Sequence, residues 1–209
     1  MTLLSIIIPT IPGREDHYER CLNAYRDRTS TPNEIITEYD HSTCGKAWQA
    51  GADKAKGDYI HLTCDDLEPM DGWDLAAIEL TDRGFLPAPR VLNVHLGILQ
   101  SRPYASSEFP DGIDTGITVI PFCSRQQWEK ISPLLLSHYY SDDFFSDRGR
   151  QAGFPPKMCN KYSFNHHWAM HKRGAGMGSE EARTNYDRAL YYEALRKVTR
   201  GEWTEPWPS

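Results

Sequence analysis

Residues 45–66 read GKAWQAGADKAKGDYIHLTCDD, and this stretch holds the unit on which the fold turns. Small residues at Ala47, Ala50, Gly51 and Ala55 allow a helix over Lys46–Lys54 to approach a sheet closely. Gly57-Asp58 stops that helix, and Tyr59–Thr63 reads as a strand running into Cys64-Asp65-Asp66. Upstream, the continuous apolar run Leu3–Ile8 meets Pro9-Thr10 and then Ile11-Pro12-Gly13, the pattern of a strand covered on both faces that breaks into a loop. Tyr18, Cys21, Leu22 and Tyr25 follow at helical spacing within Arg14–Arg28, and Glu34–Tyr39 is a second strand closed by Asp40-His41-Ser42. Strand, helix, strand, helix, strand implies right-handed crossovers, so the prediction is an α/β fold with a mostly parallel central sheet flanked by helices.

Beyond residue 72 the alternation loosens. A helix is expected over Trp73–Leu80 and strands over Arg90–Leu99 and Thr115–Phe122, with a Pro/Ser-rich loop from Ser101 to Asp111 between them. Helices over Ser124–Ile131 and Asp142–Ala152 and a short strand over Tyr162–Phe164 come next. A C-terminal helical extension is expected from Thr184 to Arg200, with Thr184 and Asp187 in a capping arrangement and Gly201 as its stop. Gly174, Gly176 and Gly178 within His171–Glu181 suggest a mobile loop able to close as a lid. The division expected is one domain over 1–170, its halves 1–100 and 101–170, followed by the loop, helix and Trp/Pro tail of 171–209.

The 209 residues, 39% apolar and 25% charged, exclude collagen-like and disordered classes. A formal net charge of −6 argues against a phosphate backbone or an anionic membrane as principal partner, while leaving room for a local basic groove. Leu3–Ile8 lacks a preceding basic region and a small-residue cleavage site, and no stretch approaches spanning length. Cys21, Cys44, Cys64, Cys123 and Cys159 are odd in number, scattered and without zinc spacing. A reduced, cytoplasmic protein is the simplest expectation.

In an open parallel sheet, ligands bind beyond the carboxyl ends of the strands. Three polar clusters fall there: Pro9-Thr10, Asp40-His41-Ser42 and Cys64-Asp65-Asp66. An isolated Asp pair is commonly solvated surface, but one placed at the end of an apolar strand suits a hard divalent cation, Mg²⁺ or Mn²⁺, with open positions for phosphate.

The segments SIIIPT, EIITEYDHS and GKAWQAGADKAKGDYIHLTCDDLEPMDGW resemble, in order and spacing, the N-terminal half of nucleotide-sugar glycosyltransferases of the GT-A (Rossmann-like) fold, especially family 2. The resemblance covers about the first 80 residues. It departs at His41, where Gly is usual, and at Cys64, where the metal-binding motif of the family has an acid. In the second half, SDDFFSDRGRQAGF and YSFNHHW resemble the family's acidic helix start and its strand ending in a metal-binding His. The resemblance implies that Pro9, Thr10 and Asp40 hold the nucleotide base, with Asp40 accepting its imino proton. Arg14 and Lys46 reach phosphate or ribose, Asp66 is the principal metal ligand with His166 favoured over His167, and Asp65 serves the ribose or the metal. Asp142 or Asp143 acts as catalytic base toward an acceptor hydroxyl, with inversion at the sugar carbon. The donor implied is a UDP-sugar, and the acceptor a protein, a glycan or a modified nucleic-acid base.

Two further readings compete. A nucleotidyltransferase needs a Gly-rich signature after the first strand, which Pro9–Gly13 does not supply, and a degenerate nucleotide-sugar-binding module fits His41 and Cys64 but not an intact Asp142-Asp143. Trp48, Trp73, Trp128 and Trp168 serve either ring stacking or packing. Trp203 and Trp207 would cover an apolar patch or meet a partner subunit, and Lys157, Lys161, Lys172 and Arg173 form a modest basic cluster.

Overall fold

The computed structural model describes residues 2–99, 118–138, 140–167 and 180–202. The loop expected over 101–111, Thr115, the Gly-rich segment at 174–178, Trp168, Lys172, Arg173, Trp203 and Trp207 lie outside these residues. The chain is mixed α/β, with a mostly parallel sheet and six helices among the described residues.

Strand β1 (Leu4–Thr10) leads through α1 (Glu15–Arg28) to β2 (Asn33–Tyr39), then through α2 (Cys44–Lys54) to β3 (Tyr59–Leu62). Both β2 and β3 pair with β1 in parallel, and the short β7 (Phe122–Ser124) closes the order β2-β1-β3-β7 antiparallel to β3. Strand β1 extends past Ile8 through Pro9, where the sequence suggested a break. A proline lacks the N–H a central strand needs, but β3 pairs only with Leu4–Ile7, so at Pro9 the strand has β2 alone beside it. Close approach of α2 is built on Gly51: a Cβ there would lie 2.9 Å from Ile7 Cγ1.

The second sheet has the order β4-β8-β5-β6, and here the expected elements are corrected. Strand β4 (Leu67–Pro69) is too short to show a period, and was not anticipated. The strand expected over Arg90–Leu99 starts earlier, as β5 (Leu86–Asn93), and turns at 94–97 into the two-residue β6 (Ile98–Leu99). Asn93 makes that turn by accepting the His95 and Leu96 N–H groups on its side-chain oxygen. The three-residue strand expected at Tyr162–Phe164 is the core of an eleven-residue β8 (Pro156–His166). Its Lys157, Asn160 and Lys161 hide it from an apolar scan, although parallel pairing to β5 and antiparallel pairing to β4 hold it along its length. Residues 118–121 are not a strand, so β7 begins only at Phe122.

Helices α3 (Trp73–Asp82), α4 (Arg125–Ile131) and α5 (Ser141–Gln151) follow the sequence reading to within a few residues. Helix α6 (Glu180–Thr199) starts before Thr184, so Thr184 is interior rather than a cap. Asp187 is buried and accepts the His138 backbone N–H at 3.2 Å, tying α6 to the segment that leads into α5.

Leu4, Ile6 and Ile8 of the first sheet pack with Val91, Tyr162 and Phe164 of the second. At their junction His61 is fully buried, ringed by Tyr25, Trp73, Phe122, Tyr162 and Phe164. Its ring nitrogens lie 2.8 Å from the Tyr25 hydroxyl and 3.2 Å from that of Tyr162, and burial pushes its pKa down to about 3. Trp48, Trp73 and Trp128 are core residues, which answers their packing-or-stacking ambiguity in favour of packing. No helix among the described residues is long and apolar enough to cross a membrane.

Candidate functional site

The carboxyl ends of β1, β2 and β3 converge because β1 is flanked by the other two in register. Asp40 N–H donates to the Thr10 carbonyl at 3.0 Å, which closes the end of β2 onto β1. Asp40 takes φ +57°, a left-handed conformation that Asp tolerates better than most residues because its short side chain bonds locally. Its neighbour His41 does not share that conformation, so His in place of Gly costs no backbone strain. The His41 ring instead lies 2.9 Å from Glu38, which also accepts from Lys54 at 2.6 Å. Burial would raise the Glu38 carboxyl, but Lys54 and His41 outweigh it and hold it below its usual range.

Across from Asp40, Thr10 donates its hydroxyl to Asp65 Oδ2 at 2.9 Å. Arg14 stands at the start of α1 and turns back over the strand ends. Its Nε reaches Asp65 Oδ2 at 2.8 Å and its Nη2 reaches Asp65 Oδ1 at 2.5 Å, a bidentate fork. The same Nη2 lies 3.0 Å from Asp66 Oδ2. Both aspartates are buried, and Arg14 retains only 14% side-chain exposure. Burial alone would lower the Arg14 pKa; the two carboxylates more than offset this and raise it.

The second sheet delivers the histidines. Antiparallel pairing sets Leu67 opposite His166, and the His167 N–H donates to the Asp66 carbonyl at 2.8 Å. Successive side chains on a strand point to opposite faces. His166 Nε2 accordingly lies 3.5 Å from Asp66 Oδ2, while His167 Nε2 lies 2.9 Å from Glu68 Oε1, which Arg20 also reaches at 3.1 Å. Burial works against the charged form of Asp66, yet His166 and Arg14 win and bring it down to about 2.

Cys64, the residue in place of a first acid, has its pKa driven well above the usual thiol value by a hydrogen bond with Cys44, and next by burial. It is a neutral thiol and adds no third negative charge. The Cys44 contact carries structural information too, because Cys44 begins α2. Next to it, Gly45 donates its N–H to the Ser137 carbonyl at 2.9 Å, and a Cβ on Gly45 would meet Ser141 Oγ at 2.7 Å. Ser141 is the first residue of α5, so the chain of contacts Cys64, Cys44, Gly45, Ser141 brings Asp142 and Asp143 to the same end of the first sheet as Asp65 and Asp66. This close approach requires glycine at 45.

Asp142 and Asp143 are half-buried in the first turn of α5. Burial, with the Asp143 charge as second cause, pushes the Asp142 carboxyl up to about 7, and burial followed by Asp147 raises Asp143. A carboxyl poised near neutrality is suited to proton transfer. Tyr140, just before them, is held at φ +66° and stacks on Tyr191 of α6 with ring centroids 5.4 Å apart. That placement escaped sequence reading, since nothing local marks a tyrosine for a left-handed backbone.

Pro9 and Lys46 take less part. Pro9 lies within β1, and Lys46, third in α2, enters none of the ion pairs among the described residues. Lys157 is set over the Phe85 ring at 4.6 Å, so one member of the expected basic cluster has a packing role. Among the described residues no group of three or more His, Cys, Asp or Glu is placed to hold a metal ion. Asp66 and His166 supply a carboxylate and an imidazole, a pair that fits Mn²⁺ or Mg²⁺ if substrate phosphate and water complete the shell. A scan of protein-family models finds none that matches this chain, and a search of curated proteins finds no match.

Proposed function

We propose that this protein is a GT-A type glycosyltransferase, moving a sugar from a nucleoside-diphosphate donor, UDP-sugar favoured, to an acceptor hydroxyl with inversion. The observation that carries the reading is the chain of contacts Cys64, Cys44, Gly45, Ser141, which leads from one carboxylate pair at the end of a parallel sheet to a second, unlike pair at the start of α5. Asp66 is held ionised by His166 and Arg14, with Asp65 beside it in the Arg14 fork, whereas Asp142 is raised to about 7. Titratable groups pushed in opposite directions mark a division of labour between electrostatic stabilisation and proton transfer.

In this mechanism Thr10 and Asp40 take the base and ribose side of the donor, with Arg14 and Lys46 available to phosphate. Asp66 and His166 would hold Mn²⁺ or Mg²⁺, which when bound supplies charge neutralisation for the departing diphosphate. Asp142, assisted by Asp143, accepts the proton of the attacking hydroxyl. A glycosidase also uses two carboxyls, but one of them must protonate a poor leaving group; a diphosphate leaves without that help. The intact Asp142-Asp143 pair at the start of α5 weighs against a pure binding module.

The test is thermal unfolding against a panel of nucleoside diphosphates and nucleotide sugars, each with and without Mn²⁺, since a ligand of the folded state raises the midpoint. A Mn²⁺-dependent rise with one nucleotide sugar, lost in Asp66→Ala, is expected. No rise with any of them, from folded protein, refutes the reading.

A further inference from the structure

We propose that Arg14 is a resident counter-cation of the Asp65–Asp66 pair, one that an incoming divalent cation displaces, freeing the guanidinium for the diphosphate that the cation carries. The diphosphate half of this inference rests on the nucleotide-sugar reading above.

Two buried carboxylates side by side demand positive charge, and three hydrogen bonds from Arg14 supply it. The arrangement uses the atoms a cation would need. Asp65 accepts on both oxygens from Arg14, with Thr10 sharing Oδ2, and Asp66 Oδ2 lies between Arg14 Nη2 and His166 Nε2. A divalent cation on that Asp66 oxygen would stand against the guanidinium, so like-charge repulsion makes the two occupants mutually exclusive. Once a cation neutralises the pair, the guanidinium fork has a better partner in a phosphate, for which its geometry is equally suited. The backbone permits the turn: Gly13 precedes Arg14 in the left-handed region with open space around it, and Ile11 is exposed.

Calorimetric titration of Mn²⁺ into the full chain and into Arg14→Gln and Arg14→Ala tests this, with UDP then titrated at saturating Mn²⁺. An opposite charge at this range changes the affinity of a carboxylate for a cation such as the proton by about tenfold to a thousandfold. Mn²⁺ alone is therefore expected to bind the variants at least about tenfold more tightly, and UDP to bind them at least about tenfold more weakly. Unchanged or weaker Mn²⁺ binding in folded variants overturns the inference. Tighter Mn²⁺ binding with no UDP binding to any form upholds Arg14 as the displaced cation and overturns the nucleotide reading instead. Should both variants fail to fold, the Arg14 Nε–H resonance of the unaltered chain is followed during Mg²⁺ titration. Movement on saturation supports displacement; an unmoved resonance refutes it.

Discussion

Replacing Asp142 by Asn should make the protein more stable at alkaline pH while removing its candidate base. The folded state holds this carboxyl at about 7 against an ordinary 3.8, so ionising it costs more in the folded chain than in the unfolded one. The sign is the reverse of the usual aspartate case. Its stabilising contribution is complete below about pH 4 and is lost as pH rises through 7. The gap corresponds to about 4 kcal/mol, and we halve this to about 2 kcal/mol because the side chain is only half-buried and solvent screens it. Asn forfeits the favourable interaction of a negative charge with the first turn of α5, about 0.5 kcal/mol. The net expectation is a gain of about 1–2 kcal/mol at pH 8.5, a rise of about 2–8 °C in melting temperature for a chain of this size. Thermal unfolding at pH 8.5, 7 and 5 checks it, because the gain must shrink with falling pH and vanish near pH 4. An Asn variant no more stable than the parent at pH 8.5, or a gain independent of pH, refutes the argument that Asp142 is held away from its charged form.

Gly45→Ala should destabilise by about 2 kcal/mol, because the new Cβ meets the Leu135 and Ser137 carbonyls and Ser141 Oγ, and it should depress turnover although it touches no reacting group; denaturant unfolding alongside a donor-consumption assay reads both. His61 is held at about 3 by burial, and the unfolded chain protonates near 6.5, so its contribution is present above pH 6.5 and falls by about 1.4 kcal/mol per pH unit below it. Asp142 partly compensates in that window, so the loss should be steeper in Asp142→Asn, as urea unfolding between pH 6.5 and 4.5 would reveal; equal slopes refute the pairing of the two effects. Asp142→Ala and Asp143→Ala should separate the roles of the acidic pair: retained turnover in both variants excludes either as the base.

The central strands were legible in the sequence because Leu3–Ile8 is an apolar run and Tyr59–Thr63 is bounded by Gly57-Asp58 and Cys64-Asp65-Asp66. Glycine and small residues around Gly51 likewise mark a helix pressed onto the sheet. The strands of the second sheet were legible only in part. Lys157, Asn160 and Lys161 give β8 a polar outline, and the three residues of β4 show no period, so their pairing partners, not their composition, make them strands. Asp187 illustrates the same limit, since a spacing that fits a helix cap serves instead to accept a backbone N–H from a segment 49 residues away.

By itself the sequence determined that an α/β chain would carry Pro9-Thr10, Asp40 and Asp65-Asp66 at the ends of neighbouring parallel strands. Apolar runs, turn residues and crossover handedness are local or nearly local properties. Only the tertiary structure decided that Arg14 lies on the aspartates, that His166 faces Asp66 while His167 faces Glu68, and that Gly45 admits α5 to the same edge. Those outcomes depend on distances and charge balance among residues far apart in the chain, and on how burial weights each charge, which no spacing along the sequence encodes.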